Sequence, residues 1–398
     1  MPNETQVKLF ERAKEVIVGG AQAHKRPSYV PDLPIMAQRG EGCYFWDPDG
    51  NRYIDYLCAY GPILLGYAHP KTTQAALERA RQGTVFNIGT PLEILLAEKL
   101  VEIIPCAEMV SYFISGSEST SAAVKIARAV TGREKVVRCG YHGWHDWCQT
   151  GNRGVPRAVS DLTLDFPYND LDSLAERFRA NPDQIACVIM EPVLMDAPAQ
   201  GFLEGVKRVC HENGALLIFD EIKTGFRYAL GGAQEHFGVT PDLATLGKAM
   251  ANGWPIAVVV GRRQIMQQAE DVWVAATFNG ESMGVAAALA TIEEMQQHDG
   301  VRELWRRGER LRAGLDEIMR DAGVDAHTTG AGPMPFLRFG EGLDELKVKF
   351  FSECAKAGVY FPPDHVWFLC LAHTDGVIEE TLIIARQALK SALASAGG

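Results

Sequence analysis

Short apolar runs alternate with helix-period segments through the middle of the chain. Met109–Ile114, Lys135–Cys139, Ile185–Met190, Ala215–Phe219 and Ile256–Val260 are nearly continuous in hydrophobic residues, the pattern of strands buried on both faces. Helical spacing lies between them, at about 70–82, 92–104 and Ser121–Ala129. The expected fold class is therefore α/β, with a mainly parallel central sheet sandwiched by helices. Ahead of this region, Met1–Gly20 places Glu4, Lys8, Glu11, Arg12, Lys14 and Glu15 among spaced apolar residues. That predicts an amphipathic helix, not the apolar run of a signal peptide. Tyr44–Trp46 and Arg52–Tyr56 flank the turn sequence Asp47-Pro48-Asp49-Gly50 and predict a hairpin. Beyond about 300 the pattern becomes a long charged helix at Val301–Ala322, a strand at Met334–Phe339, a second helix, a strand at Val366–Cys370 and a final helix. The expected organisation is a large domain at 61–299 and a smaller α/β domain at 300–398, to which the segment 1–60 contributes.

Composition narrows the partners. With 398 residues, 47% hydrophobic and 22% charged, the chain can bury large cores. A formal net charge of −11 offers phosphate backbones no general attraction, so nucleic acid is not an expected partner. No apolar stretch approaches the roughly 18 residues of a membrane span. The nine cysteines include no CxxC pair, which speaks against a disulfide framework or a zinc ribbon and fits a reducing cytoplasm. Glycine, at 39 residues, exceeds its usual share of about 7% and points to places where backbone comes close to something.

Four short segments carry candidate chemistry. Ser115-Gly116-Ser117-Glu118-Ser119-Thr120 lies between a predicted strand and a predicted helix, where amides and hydroxyls at the helix's positive end suit a phosphate. Cys139 to Trp147 follows another strand and gathers Tyr141, His142, Trp144, His145 and Trp147, an aromatic wall for core or planar ligand. Its HxxHD spacing lacks the further ligands of a metal site. Asp220 and Glu221 stand at the end of a buried strand, and Lys248 sits among Leu, Gly, Ala and Met. No GxxxxGK[ST] occurs, and Gly330-Ala331-Gly332 lacks the spacing of a dinucleotide fingerprint.

Together, in this order, these segments resemble the class III aminotransferases of the pyridoxal-phosphate fold type I, and within them the glutamate-1-semialdehyde 2,1-aminomutase branch. The resemblance runs from Ile17-Val18-Gly19-Gly20 through the segment Phe219 to Arg227 and Gly247-Lys248 to Ala372-His373-Thr374-Asp375. It implies pyridoxal 5′-phosphate as cofactor, in the large domain, and Lys248 as the Schiff-base lysine, a primary amine whose burial favours the neutral form. Asp220 would keep the cofactor's ring nitrogen protonated so that the ring accepts electrons. Tyr141 would stack on one ring face, and Ile222, two residues past Asp220 on the same strand face, would press on the other. Ser115, Gly116 and Ser117 form the implied phosphate cup, completed by Thr277 of the partner subunit, so a homodimer with shared sites is expected. His142 and Glu191 join the implied cofactor-binding set.

For substrate the resemblance implies Arg26, at the position of a carboxylate-gripping arginine, with Trp46 and His365. His365 stands about where the aminomutase pattern Phe-Glu-Ala-Gly has its Glu, a pattern this chain lacks. The expected activity is ping-pong transfer of an amino group from a donor to a carbonyl acceptor. Intramolecular transfer by an aminomutase is the alternative, and a catalytically dead binding protein of the same fold is a remote one.

Overall fold

The computed structural model describes residues 4–22 and 27–396. They divide into two compact units, one formed by residues up to 69 together with 302 onward, the other by 70–301. The first unit opens with the helix Glu4–Lys14 and three short strands, β1 (Arg39–Glu41), β2 (Tyr44–Trp46) and β3 (Arg52–Asp55). The turn between β2 and β3 is organised by Asp47, whose Oδ1 accepts the amides of Asp49 at 3.0 Å and Asn51 at 2.9 Å. Gly50 takes the positive φ of +87° that such a turn requires.

The second unit is built on a seven-stranded sheet. Its strands in chain order are β4 (Met109–Phe113), β5 (Lys135–Cys139), β6 (Thr163–Asp165), β7 (Ile185–Met190), β8 (Leu216–Asp220), β9 (Leu243–Leu246) and β10 (Ala257–Gly261). Their order across the sheet is β4-β10-β9-β8-β7-β5-β6. Only β10 runs against its neighbours, so the remaining six all end at one edge. Every residue of β7 is buried, as a strand covered on both sides must be. Alternate residues feed two separate cores. Cys187 and Ile189 pack with Ala123, Val124 and Ile126 of the helix Gly116–Thr131. Val188 and Met190 pack instead with Leu174, Phe178, Phe202 and Val206 of the helices Leu171–Ala180 and Phe202–Glu212. Period-two alternation of apolar side chains thus fixes which helix lies on which face.

The first unit resumes along the helix Gly300–Asp321 and the antiparallel pair β11 (Ala326–Ala331) and β12 (Met334–Phe339). After the helix Asp344–Lys356, β13 (Val359–Tyr360) pairs in parallel with β3 and extends the N-terminal hairpin to four strands. The expected strand at Val366–Cys370 does not form. Its amides reach out in alternation, Trp367 to the carbonyl of Pro335 at 2.8 Å and Leu369 to that of Pro333 at 3.2 Å, while Phe368 donates to Tyr56 at 2.8 Å. Both prolines lack an N–H to return a bond, so no ladder develops on that side. The helix Asp375–Ala396 closes the unit. No described helix is long and apolar enough to cross a membrane.

Candidate active site

The six strands that end together deliver their next residues to one edge, the place where parallel sheets gather chemistry. Ser115 follows β4, Tyr141 and His142 follow β5, Glu191 follows β7, Asp220 closes β8 and Lys248 follows β9. All of them belong to the second unit.

Ser115 is the N-cap of the helix Gly116–Thr131. Its hydroxyl accepts the Glu118 amide, and Glu118 Oε2 accepts the amides of Ile114 at 2.9 Å and Ser115 at 3.0 Å. The helix therefore begins five residues earlier than its apolar period suggested, because the capping box satisfies the turn that the period does not cover. The amides of Gly116 and Ser117, in the first turn, have no partner within the helix and remain free to hold an anion. Glycine backs this cup. A Cβ on Gly143, at φ +107°, would run into Ser117, and one on Gly116 would stand 3.2 Å from Ile222 Cδ1.

Asp220 is 3% exposed and fully engaged. Its Oδ2 lies 2.7 Å from Nδ1 of the equally buried His142, and its Oδ1 accepts the Ile222 amide at 3.1 Å and the Thr245 hydroxyl at 3.3 Å. His142 stacks on Trp147, with ring centroids 6.2 Å apart. The other histidine of the HxxHD sequence turns elsewhere, His145 Nδ1 meeting the Ser121 hydroxyl at 2.6 Å. The two imidazoles thus serve different partners. Tyr141, by contrast, is 54% exposed, a flat ring beside this buried pair.

Ile222 requires a correction. β8 ends at Asp220, so Ile222 is not on a strand face; it lies in the following turn, folded back by its amide bond to Asp220. There its Cδ1 packs over Gly116 and Gly247, whose added Cβ atoms would sit 3.2 and 3.1 Å away.

Lys248 opens a short 3₁₀ turn with φ +43°, followed by the buried Ala249, Met250 and Ala251. Its pKa falls from 10.5 to about 8, first because burial removes the ammonium from water, then because Lys223 adds like charge. Glu191 and Asp220 oppose the shift. Lys223 is a residue that spacing did not single out, although it stands inside the run Asp220–Arg227. It is ion-paired with Glu191, and Glu191 Oε1 accepts the Tyr141 amide at 2.7 Å. Glu221 has a structural part: fully buried, it accepts the amides of Ala233 at 2.7 Å and Gln234 at 2.9 Å, and burial raises its pKa.

Thr277 is exposed. Two of the expected substrate residues lie in the first unit. Trp46 is covered by the Arg39 guanidinium, 3.5 Å from its ring centroid, and His365 Nδ1 faces its neighbour's carbonyl at 2.8 Å while its ring meets Tyr60 edge-on at 5.2 Å. Arg26 lies outside the described residues.

The buried amine has a measurable cost. Below pH 8 the folded chain holds a charged Lys248 that the unfolded chain carries more comfortably, so Lys248→Met is expected to stabilise the ligand-free protein at pH 7 by up to about 3 kcal/mol. Between pH 8 and 10.5 the native amine is neutral while the unfolded one is still protonated; parental stability rises and the gap closes. Urea midpoints across that range check both statements. A parent as stable as the variant at pH 7 would contradict them.

Residues 26–389 match the family model described as Aminotransferase class-III. The 3-aminobutyryl-CoA aminotransferase of Cloacimonas acidaminovorans (strain Evry) is 39% identical, with 96% of this chain and 95% of that protein aligned. The glutamate-1-semialdehyde 2,1-aminomutase of Methanocaldococcus jannaschii is 35% identical over 94% of this chain and 95% of its own. Among solved structures, the pyridoxal-phosphate internal aldimine form of the FumI protein of Sphingopyxis sp. MTA144 superposes with a TM-score of 0.95 at 32% identity, covering 100% of this chain and 98% of that one. An omega-transaminase from Sphaerobacter thermophilus gives 0.90 at 27% identity, with 98% of each chain covered. This chain belongs to the class III aminotransferase family.

Proposed function

We propose that the chain is a pyridoxal-phosphate-dependent aminotransferase working between separate donor and acceptor molecules, and that the second unit holds the cofactor. The observation that carries the reading is a buried amine, Lys248, tuned to about 8 at the same sheet edge as a buried carboxylate, Asp220. The residues fit the group. His142 Nε2 is a buried nitrogen without a hydrogen-bond partner, the glycine-backed cup at Ser115, Gly116 and Ser117 suits a phosphate, and Tyr141 and Ile222 suit the two faces of a ring. When bound, pyridoxal phosphate supplies an aldehyde for amine exchange and a ring that accepts electrons.

The chain's own groups do the remaining work. Lys248, neutral at moderately alkaline pH, offers a nucleophile and afterwards a base that can carry a proton between substrate carbon and solvent-shielded acceptor. Asp220, held by His142 and Thr245, presents a fixed carboxylate where a ring nitrogen needs one. The Lys223–Glu191 pair fixes the Tyr141 backbone through Glu191 and adds the positive charge that lowers Lys248. Intermolecular transfer is favoured over isomerisation by the 39% identity to a named aminotransferase and by a C-terminal segment in which His365 replaces the expected Glu pattern.

The shared site of a homodimer belongs to the same reading. Phe86, Ile88, Ile94 and Leu95 are exposed apolar residues on 84–101 of the second unit, and Ile88 is 74% exposed, a patch of the kind that marks an interface with a second copy. The exposed Thr277 would then complete the cup of the partner. All nine cysteines are free and buried, which suits a reducing cytoplasm.

Two outcomes test the reading. In a donor panel, an amino acid that converts the bound cofactor and releases a free keto acid in single-turnover absorbance is expected; isomerisation with no keto acid would favour the aminomutase. For the shared site, Lys248→Ala and Thr277→Ala chains mixed through unfolding and reassembly are expected to regain one wild-type site in each mixed dimer. If Thr277 served its own subunit, mixing would restore nothing.

A further inference from the structure

Three side chains from two distant stretches of the chain meet in the interior of the first unit. Cys58, Cys370 and His373 are each fully buried, and the thiol sulfurs and an imidazole nitrogen lie within 4.8 Å of one another. Cys370 Sγ is 3.3 Å from His373 Nδ1. The Cys370 amide donates to the same nitrogen at 3.0 Å, so Nδ1 is unprotonated and its lone pair points at the Cys370 backbone and sulfur, where an incoming ion would replace the amide as its partner. That tautomer puts the ring's proton on Nε2, which is buried and has no hydrogen-bond partner. The ring is held by stacking on Tyr56, with centroids 4.5 Å apart.

The backbone is also spent on this arrangement. Cys58, Ala59 and Tyr60 take φ of +47°, +55° and +68°, three successive left-handed residues without a glycine among them. Such conformations are strained for residues with a Cβ and persist where the surroundings demand them. Cys58 Sγ lies 3.2 Å from the Phe368 carbonyl and 3.4 Å from that of Asp55, so the turn delivers its sulfur to a polar pocket in an otherwise apolar core.

We propose that Cys58, Cys370 and His373 form a buried binding site for a soft divalent cation of the zinc class. Two thiolates and a neutral imidazole match the donor preference of such an ion. They also match its charge: a divalent ion with two thiolates and one neutral imidazole is electrically neutral, the condition a dry interior imposes. Binding releases two protons, one from each thiol, to solvent, and involves no change of oxidation state. Cys43, also buried, lies outside the triad. No sequence spacing announces the site, because Cys58 is more than three hundred residues from Cys370-x-x-His373. Its expected part is structural, joining the left-handed turn to the segment that runs past Pro333 and Pro335.

Because all three ligands are buried, loading is expected during folding. The full chain, produced without a histidine tag in zinc-supplemented medium and desalted, is expected to carry about one zinc per chain by elemental mass spectrometry. Cys58→Ser and Cys370→Ser should each lower that to near zero, while Cys43→Ser should keep it. Production in cadmium-supplemented medium should give the parent, and not Cys370→Ser, an ultraviolet thiolate-to-cadmium charge-transfer band. A parental chain without stoichiometric zinc or a cadmium band overturns the proposal, and it needs no variant to fold; so does metal retained in Cys370→Ser.

Discussion

Taking a lysine amine out of water is the constraint on which the rest of the second unit turns. An ammonium so placed loses its hydration, and the protein answers by lowering its pKa toward neutrality and by setting carboxylates nearby. Those carboxylates must be fixed, because a mobile one would bring water with it. Asp220 is fixed by three hydrogen bonds from His142, Ile222 and Thr245, and Glu191 by the Tyr141 amide and Lys223. Asp220 and Glu191 sit at or just past the ends of β8 and β7, strands whose apolar residues pack on both faces of the sheet. The rigidity of the sheet is thus transmitted to the charges at its edge.

The balance at Lys248 is a contest between terms of opposite sign. Burial and Lys223 lower its pKa, Glu191 and Asp220 raise it, and the result near 8 shows that burial wins by a margin that leaves the amine usable close to neutrality. Lys223 has a double connection in this contest. It partly neutralises Glu191, which would otherwise hold the ammonium more tightly, and it repels the ammonium directly.

Much of this was legible in the sequence, for physical reasons that differ by element. β7 could be read because six consecutive apolar residues are what two-sided burial demands, and Asp220 and Lys248 because a charge directly after such a run has few places to go. The segment Val366–Cys370 misled because its apolar run reports burial, whereas ladder formation depends on N–H groups that Pro333 and Pro335 do not have. Ile222 misled because a two-residue period holds only while the strand continues, and the Asp220 carboxylate ends it by capturing the next amide but one. Lys223 passed unnoticed because nothing local separates a solvated lysine from one paired with Glu191, thirty-two residues upstream. The meeting of Cys58 with Cys370 and His373 is of the same kind, a product of tertiary packing alone.

The central claim is that Lys248 is a buried amine tuned by its neighbours, and its titration tests that claim directly. The initial rate at which pyridoxal phosphate becomes attached to Lys248, trapped by borohydride and read by peptide mass spectrometry, can be followed against pH in the parent and in Lys223→Gln. The account predicts a half-maximal rate near pH 8 in the parent and a clear move to higher pH in the variant. A parental midpoint near 10.5, unmoved by Lys223→Gln, would contradict it.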